Sequence, residues 1–100
     1  MKSEKYKDLL ESNPESELFK FSLGQALLEE NNPTVAIDYL SACLEKKPDW
    51  MMASILRAKC FIALKEKANA RKELERSLEL AIDQRHEAPE IEIRKLLDSL

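Results

Sequence analysis

The chain resembles itself after a shift of 34 residues, and this internal period is the strongest constraint on its fold. The shift places small residues on small ones and large apolar residues on large apolar ones. A period of roughly 20 to 50 residues indicates one supersecondary unit that is used again and stacked on its neighbour. The matched positions are Pro14 with Pro48, Gly24 with Ala58, Leu27 with Phe61, Ala36 with Ala70, Leu40 with Leu74, and Leu44 with Leu78.

The repeated unit is predicted to be helical. The chain has one Gly and four Pro, and Leu, Ala, Glu and Lys, which favour helices, are its commonest residues. Apolar residues recur at intervals of three and four, as at Leu40, Cys43 and Leu44, which is the period of a helix. Short polar breaks place consecutive helices side by side in antiparallel hairpins, so we predict an all-α fold. The six predicted helices cover residues 2–12, 16–30, 33–46, 50–64, 67–85 and 89–99.

Small residues at repeated positions predict where the two helices of each hairpin come closest. Gly24 with Ala36, and Ala58 with Ala70, occupy the same places in successive periods. A Gly inside a helix costs about 1 kcal/mol relative to Ala, so its presence favours a close approach of the neighbouring helix. We therefore expect these four residues to define the packing of the repeats.

The segment FSLGQALLEENNPTVAIDYLSACLEKKP resembles a tetratricopeptide repeat. That family has a period of about 34 residues, with Leu-Gly early in the first helix, Ala near the start of the second and a closing Pro. The match is carried in the first repeat by Leu23, Gly24, Leu27, Ala36, Leu40, Cys43 and Pro48, and in the second by Ala58, Phe61, Ala70, Leu74 and Ser77.

The resemblance implies one domain, folded as a right-handed α-solenoid of antiparallel helix hairpins. Its expected parts are an N-terminal half-repeat (1–16), two repeats (17–50 and 51–84) and a C-terminal capping helix (85–100). Arg57 departs from the pattern, since Leu is usual at its position. Ile82 replaces the closing Pro, so the last helix of the second repeat is expected to continue to about residue 85.

Residues 50–64, WMMASILRAKCFIAL, are apolar except for Ser54, Arg57 and Lys59. The stretch falls short of the ~20 residues that a membrane span needs. We expect it to be the first helix of the second repeat, buried between the first hairpin and its own partner helix. Trp50 has two interpretations, as a core residue at the helix start or as an exposed anchor for a partner.

Nothing in the sequence indicates catalysis, a metal site or a cofactor. His86 is the only histidine and lies in a polar break. Cys43 and Cys60 form no metal or redox motif and are expected to be buried thiols. A net charge of −3 with intermixed signs argues against nucleic acid or an anionic membrane as a partner. The N-terminus shows no apolar signal segment, so a cytoplasmic protein is expected.

The resemblance also implies a binding site, because the first helices of such repeats line a concave groove that receives a peptide or helix. Its residues, carried over by position, are Leu18, Phe21, Gln25 and Leu28 in the first repeat and Met52, Ile55, Lys59 and Ile62 in the second. Each set follows a three-four rhythm, so it lies on one helix face. The basic clamp with which some relatives hold acidic chaperone tails is not expected, because the matching positions are Phe21, Gln25, Met52 and Leu56.

The sequence therefore predicts a non-catalytic protein-interaction module that binds an apolar peptide or helix of another protein. The alternative is a structural module that homodimerises through the same apolar face. A further alternative is that the C-terminal helix or ordinary core packing covers this face.

Overall fold

A computed structural model describes the whole chain, residues 1–100, as six α-helices without a strand. All six predicted helices are present, and each end lies within two residues of the prediction. The helices are α1 (Lys2–Ser12), α2 (Glu17–Glu29), α3 (Pro33–Lys46), α4 (Met51–Ala63), α5 (Lys67–Asp83) and α6 (Glu87–Asp98).

Each helix packs mainly against the helices before and after it in the chain, and α2 also touches α4 across the first hairpin. The stack extends over 39 × 27 × 20 Å. Neighbour-only packing of antiparallel hairpins is the arrangement of a helical solenoid, in which each unit covers the apolar face of the next. The predicted all-α solenoid of hairpins is confirmed.

Three of the five turns share one geometry, in which a non-glycine residue adopts the left-handed conformation. Asn31, Lys65 and Arg85 have φ values of 61°, 60° and 57°. The residue after each of them donates its backbone N–H to a carbonyl five positions earlier in the chain, which closes the preceding helix. The turn between α5 and α6 is thus of the type found inside each hairpin.

This turn corrects two predicted helix ends. Helix α5 ends at Asp83 rather than at about Arg85, because Arg85 is in the left-handed conformation. Helix α6 begins at Glu87, two residues before Pro89, with His86 as its N-cap. Pro89 is tolerated in the first helical turn, where a backbone N–H has no intrahelical partner.

Helix α4 accounts for the apolar stretch of the sequence because it is covered on two sides. Leu56 and Cys60 belong to a core cluster with residues of α2 and α3. Met51, Ile55 and Ala58 belong to a second cluster with residues of α5 and α6. In total, seven of its thirteen residues are buried. A helix in the middle of a stack has to be apolar on both of these sides.

The helices of the first hairpin come closest at Gly24. A Cβ atom added there would lie 2.9 Å from Leu40 Cγ and 3.5 Å from the carbonyl oxygen of Ala36. Ala36, Ala58 and Ala70 are all fully buried. A larger side chain at Gly24 would have to displace Leu40, which is itself fully buried.

The two cysteines are buried free thiols, as the sequence predicted. Burial raises the pKa of both Cys43 and Cys60 to about 11, with the carboxylate of Glu17 as a second cause at Cys43. Only the thiolate is strongly nucleophilic, so these cysteines are chemically inert at neutral pH.

Candidate partner-binding face on helices α2 and α4

The exposed apolar residues of the predicted groove are Leu18 and Met52, which stand 34 positions apart in the first turns of α2 and α4. Their exposed fractions are 64% and 44%. Equivalent positions of successive repeats lie on the same side of the stack. The two side chains therefore begin an apolar surface, which we call the α2–α4 face.

Two aromatic rings join the starts of these helices. Phe21 and Trp50 stack with their ring centroids 4.8 Å apart and their planes at 14°. The Lys47 ammonium lies 5.5 Å from the centroid of the Trp50 ring and 3.9 Å from a carboxylate oxygen of Glu17. Both rings are only partly buried, so Trp50 packs within the fold and also leaves part of its ring open to solvent. Its role as an anchor for a partner stays a prediction.

Polar residues occupy the middle of the α2–α4 face. Gln25 is exposed, and Leu28 beside it is partly buried. Lys59 donates to Glu92 of α6 across 3.4 Å, which places α6 along the second-repeat side of the face. Ile62 is partly buried and packs against the cluster that includes Ile93 of α6.

The structure contradicts the prediction that Ile55 lines an open groove. Ile55 has an exposed fraction of 0% and belongs to the same cluster as Leu74, Ala81 and Ile93. The helical period places Ile55 on the same side of α4 as Met52, but Ile55 is buried in a cluster that includes residues of α5 and α6. At Ile55 the face is therefore closed, in a cluster to which both α5 and the C-terminal helix α6 contribute. The open part comprises Leu18, Phe21, Gln25, Leu28 and Met52.

On the other side of α4, Arg57 forms a polar network that the sequence analysis missed. Its Nη2 donates to Glu73 Oε1 at 2.7 Å, and its Nη1 donates to Ser41 Oγ at 3.2 Å. The Ser54 hydroxyl donates to Glu73 Oε2 at 2.6 Å and lies 2.7 Å from Ser77 Oγ. The sequence does contain a sign of this network. A shift of 34 residues pairs Arg57 with Leu23 and Glu73 with Tyr39, so both partners of the ion pair differ from the first repeat. The second repeat thus has an ion pair at the positions where the first has Leu23 and Tyr39.

No other group of side chains suggests chemistry. No three His, Cys, Asp or Glu side chains are arranged to hold a metal ion. His86 is an exposed helix N-cap residue without a side-chain capping bond. None of the helices combines the length and the apolar character that crossing a membrane would require.

Comparison with known proteins identifies the family. The sequence model of the tetratricopeptide repeat matches residues 3–49 and 21–85, which together span most of the chain. The chain belongs to the tetratricopeptide repeat (TPR) family. No curated protein sequence matches the chain. TPR domains are generally protein–protein interaction modules.

Solved structures share the TPR fold over nearly the whole chain. Protein BPP2914 from Bordetella parapertussis is 23% identical, with a TM-score of 0.86 over 97% of this chain and 84% of its own. The TPR2B domain of yeast Sti1, in its complex with pHsp70, is 24% identical, with a TM-score of 0.85 over 95% and 76%. A TPR domain protein from Salinibacter ruber is 19% identical, with a TM-score of 0.75 over 86% and 87%. Identities this low establish the fold alone.

Proposed function

We propose that this TPR domain binds an apolar helix or peptide of another protein on the α2–α4 face, with Leu18, Phe21 and Met52 as its main contacts. The observation that carries the proposal is the exposure of Leu18 and Met52 at equivalent positions of adjacent repeats. Apolar side chains that cluster at the surface mark an interface more often than scattered ones do.

The energetic gain on binding would come from covering this apolar surface. Removing apolar area from water stabilises a complex by about 25 cal/mol per Å² before the entropic costs of association are subtracted. The unbranched side chain of Met52 adapts to partners of different shape. The stacked rings of Phe21 and Trp50 are held in place by the fold, so little side-chain entropy would be lost there.

The polar residues favour an apolar partner over an acidic one. Gln25 is the exposed hydrogen-bonding group in the open part of the face. Lys59 already pairs with Glu92, and Lys47 lies near both Glu17 and the Trp50 ring. Both lysines thus already lie close to a carboxylate, which favours an apolar partner over an acidic one.

The proposal is tested with the double variant Leu18→Glu/Met52→Glu and the apolar dye 1-anilinonaphthalene-8-sulfonate. We expect the native chain to bind the dye and the variant to lose that binding while keeping its helical circular dichroism. Ile91→Glu is the matched control, because Ile91 is exposed and apolar but lies on α6. Equal dye binding by both variants would contradict the assignment of the face.

Sedimentation velocity of the same proteins separates a foreign partner from self-association. A native chain that stays monomeric at micromolar concentration supports binding of another protein. A dimer that Leu18→Glu/Met52→Glu dissociates would instead assign the face to a second copy of the chain.

A further inference from the structure

Helix α1 is attached to the rest of the fold mainly along one side. It packs against α2, whereas α3 packs against both α2 and α4. An open furrow of about 430 Å³ is lined by residues of α1, α2 and α3, among them Leu10, Leu23 and Tyr39. Since this space is unfilled, α3 does little to hold α1 in place.

The apolar contacts of α1 are also limited. Tyr6 and Leu10 pack against the cluster that contains Leu23 and Leu27, but both of these α1 side chains are only partly buried. Helix α6, at the other end of the stack, places Ile93 in the core with an exposed fraction of 0%. No apolar residue of α1 is buried to that extent, so the two end helices are anchored differently.

The one buried residue of α1 is Ser3, which is polar. Its hydroxyl donates to Glu30 Oε1 at 2.6 Å, and its backbone N–H donates to Glu30 Oε2 at 3.1 Å. These two bonds, which we call the Ser3–Glu30 latch, are the only hydrogen bonds that join α1 to another helix or turn. An ionised acceptor makes such bonds stronger than neutral ones.

The latch also supplies the N-terminal cap that α1 lacks. Met1 is the N-cap residue and makes no side-chain capping bond. The first N–H groups of a helix have no intrahelical acceptor, and a carboxylate beside them is favourable. Helix α1 has 11 residues, and isolated helices shorter than about 12 to 15 residues are marginal in water. Leaving α2 removes the cap and the apolar contacts together, so undocked α1 unfolds.

The segment that connects α1 to α2 can act as a hinge. Residues 13–15 are exposed, and their hydrogen bonds are local. The Asn13 N–H donates to the carbonyls of Leu9 and Leu10, and the Ser16 N–H donates to the carbonyl of Asn13. Helix α1 can therefore leave without breaking any hydrogen bond between this segment and the later helices.

We propose that α1 is a hinged element that docks and folds as one unit, and that the Ser3–Glu30 latch at its free end controls the closed state. In the open state α1 is unfolded and helices α2–α6 keep their packing. Leu23 and Leu27, which are 0% and 3% exposed in the closed state, then lose the cover of Tyr6 and Leu10. Local opening of this kind needs less free energy than global unfolding. It differs from fraying, because the latch holds the outermost turn.

The test is native-state hydrogen exchange of the full chain, measured by nuclear magnetic resonance. We expect the hydrogen-bonded amides of α1 to exchange through one common opening, with the Ser3 amide as protected as those in the middle of the helix. Their exchange should be at least about tenfold faster than that of the slowest amides of α4, which corresponds to 1.4 kcal/mol. Equal protection of α1 and α4, or a Ser3 amide that exchanges as in an unfolded chain, would overturn the proposal.

Variants of two adjacent glutamates show whether the latch controls the opening. Glu30→Ala removes the acceptor of both bonds and should accelerate exchange in α1 at least about tenfold, with α4 and α5 unchanged. Glu30→Gln keeps the shape and one acceptor oxygen, so it should accelerate the same amides by less. Glu29→Ala is the matched control, because Glu29 has only an exposed pairing with Lys2 at 4.0 Å. Equal acceleration by Glu29→Ala and Glu30→Ala, or acceleration of all helices alike, would refute control by the latch.

Discussion

Replacing the buried ion pair by the apolar pair of the preceding repeat tests how the second repeat is held together. The substitutions are Arg57→Leu, Glu73→Tyr and their combination, which reproduces Leu23 and Tyr39 at the equivalent positions. The two single variants each leave one charged group without its partner, whereas the double variant leaves none. The structure predicts strongly unequal effects.

The expected change in the free energy of unfolding depends on how deeply each remaining charged group is buried. In Arg57→Leu, the Glu73 carboxylate stays 8% exposed and loses the 2.7 Å bond from Nη2. Breaking a buried pair in this way costs about 3 kcal/mol. In Glu73→Tyr, Arg57 is 23% exposed and can turn toward water, so we expect a loss of about 2 kcal/mol in the free energy of unfolding. In the double variant, Ser54 keeps Ser77 as a hydrogen-bond partner at 2.7 Å, and the free energy of unfolding should lie within about 1 kcal/mol of the native value.

Urea unfolding followed by circular dichroism measures these free energies, and equal slopes would show that the unfolded states are comparable. With single effects of about 3 and 2 kcal/mol and a double effect within about 1 kcal/mol, the double-mutant cycle should give a coupling energy of at least about 4 kcal/mol between positions 57 and 73. Additive effects, with a double variant as unstable as the sum of the single ones, would refute the reasoning. They would mean that the apolar pair does not fit the second repeat.

Three further perturbations test other parts of the fold. Gly24→Leu should destabilise the chain by roughly 1–3 kcal/mol or more, because even a Cβ would lie 2.9 Å from Leu40 Cγ; an unchanged midpoint of thermal unfolding would contradict the close approach. Hydrogen bonds from the hydroxyl and amide of Ser3 lower the pKa of Glu30 below 4.5, so their stabilising effect should be present above that pH and be lost as the pH falls through the lowered value. A carboxyl titration by NMR checks this, and Glu30→Gln should remove that part of the acid dependence. Lys65→Gly should stabilise the chain by up to about 1 kcal/mol in urea unfolding, since φ is 60° at Lys65; a loss of stability would show that the Lys side chain has a role in the turn.

Sequence periodicity was sufficient to predict the six helices, because each of them has to bury a stripe of residues with helical spacing. It was also sufficient to predict the close helix packing at Gly24, since a Gly in the interior of a helix requires a steric reason. The prediction that Ile55 is exposed was wrong, because helical spacing shows which side of α4 a residue faces but not whether other helices cover that side. The cluster that buries Ile55 includes Ile93, which lies 38 positions later in the chain, on α6.

The ion pair of Arg57 could not be predicted from the sequence for a different reason. Taken alone, it breaks the family pattern, and no neighbour in the sequence explains it. Its partner Glu73 is 16 residues away on another helix, and that position becomes informative only when both are compared with Leu23 and Tyr39. Such a network can be predicted when two positions of one repeat both carry charged residues and the equivalent positions of the other repeat do not. This comparison is possible only after the alignment of the two repeats is known.

Helix α4 carries Met52 of the α2–α4 face and is held on two sides by the rest of the fold. Met52 can present an exposed side chain in a fixed place only if the helix beneath it does not move. Its neighbours Met51 and Ala53 are buried, the Phe21–Trp50 stack holds the helix start, and the Arg57–Glu73 pair holds the opposite side. Fixing the backbone before a partner arrives reduces the entropy lost on binding. A variant that loosens the ion pair should therefore weaken binding at the α2–α4 face as well, even though Arg57 does not touch it.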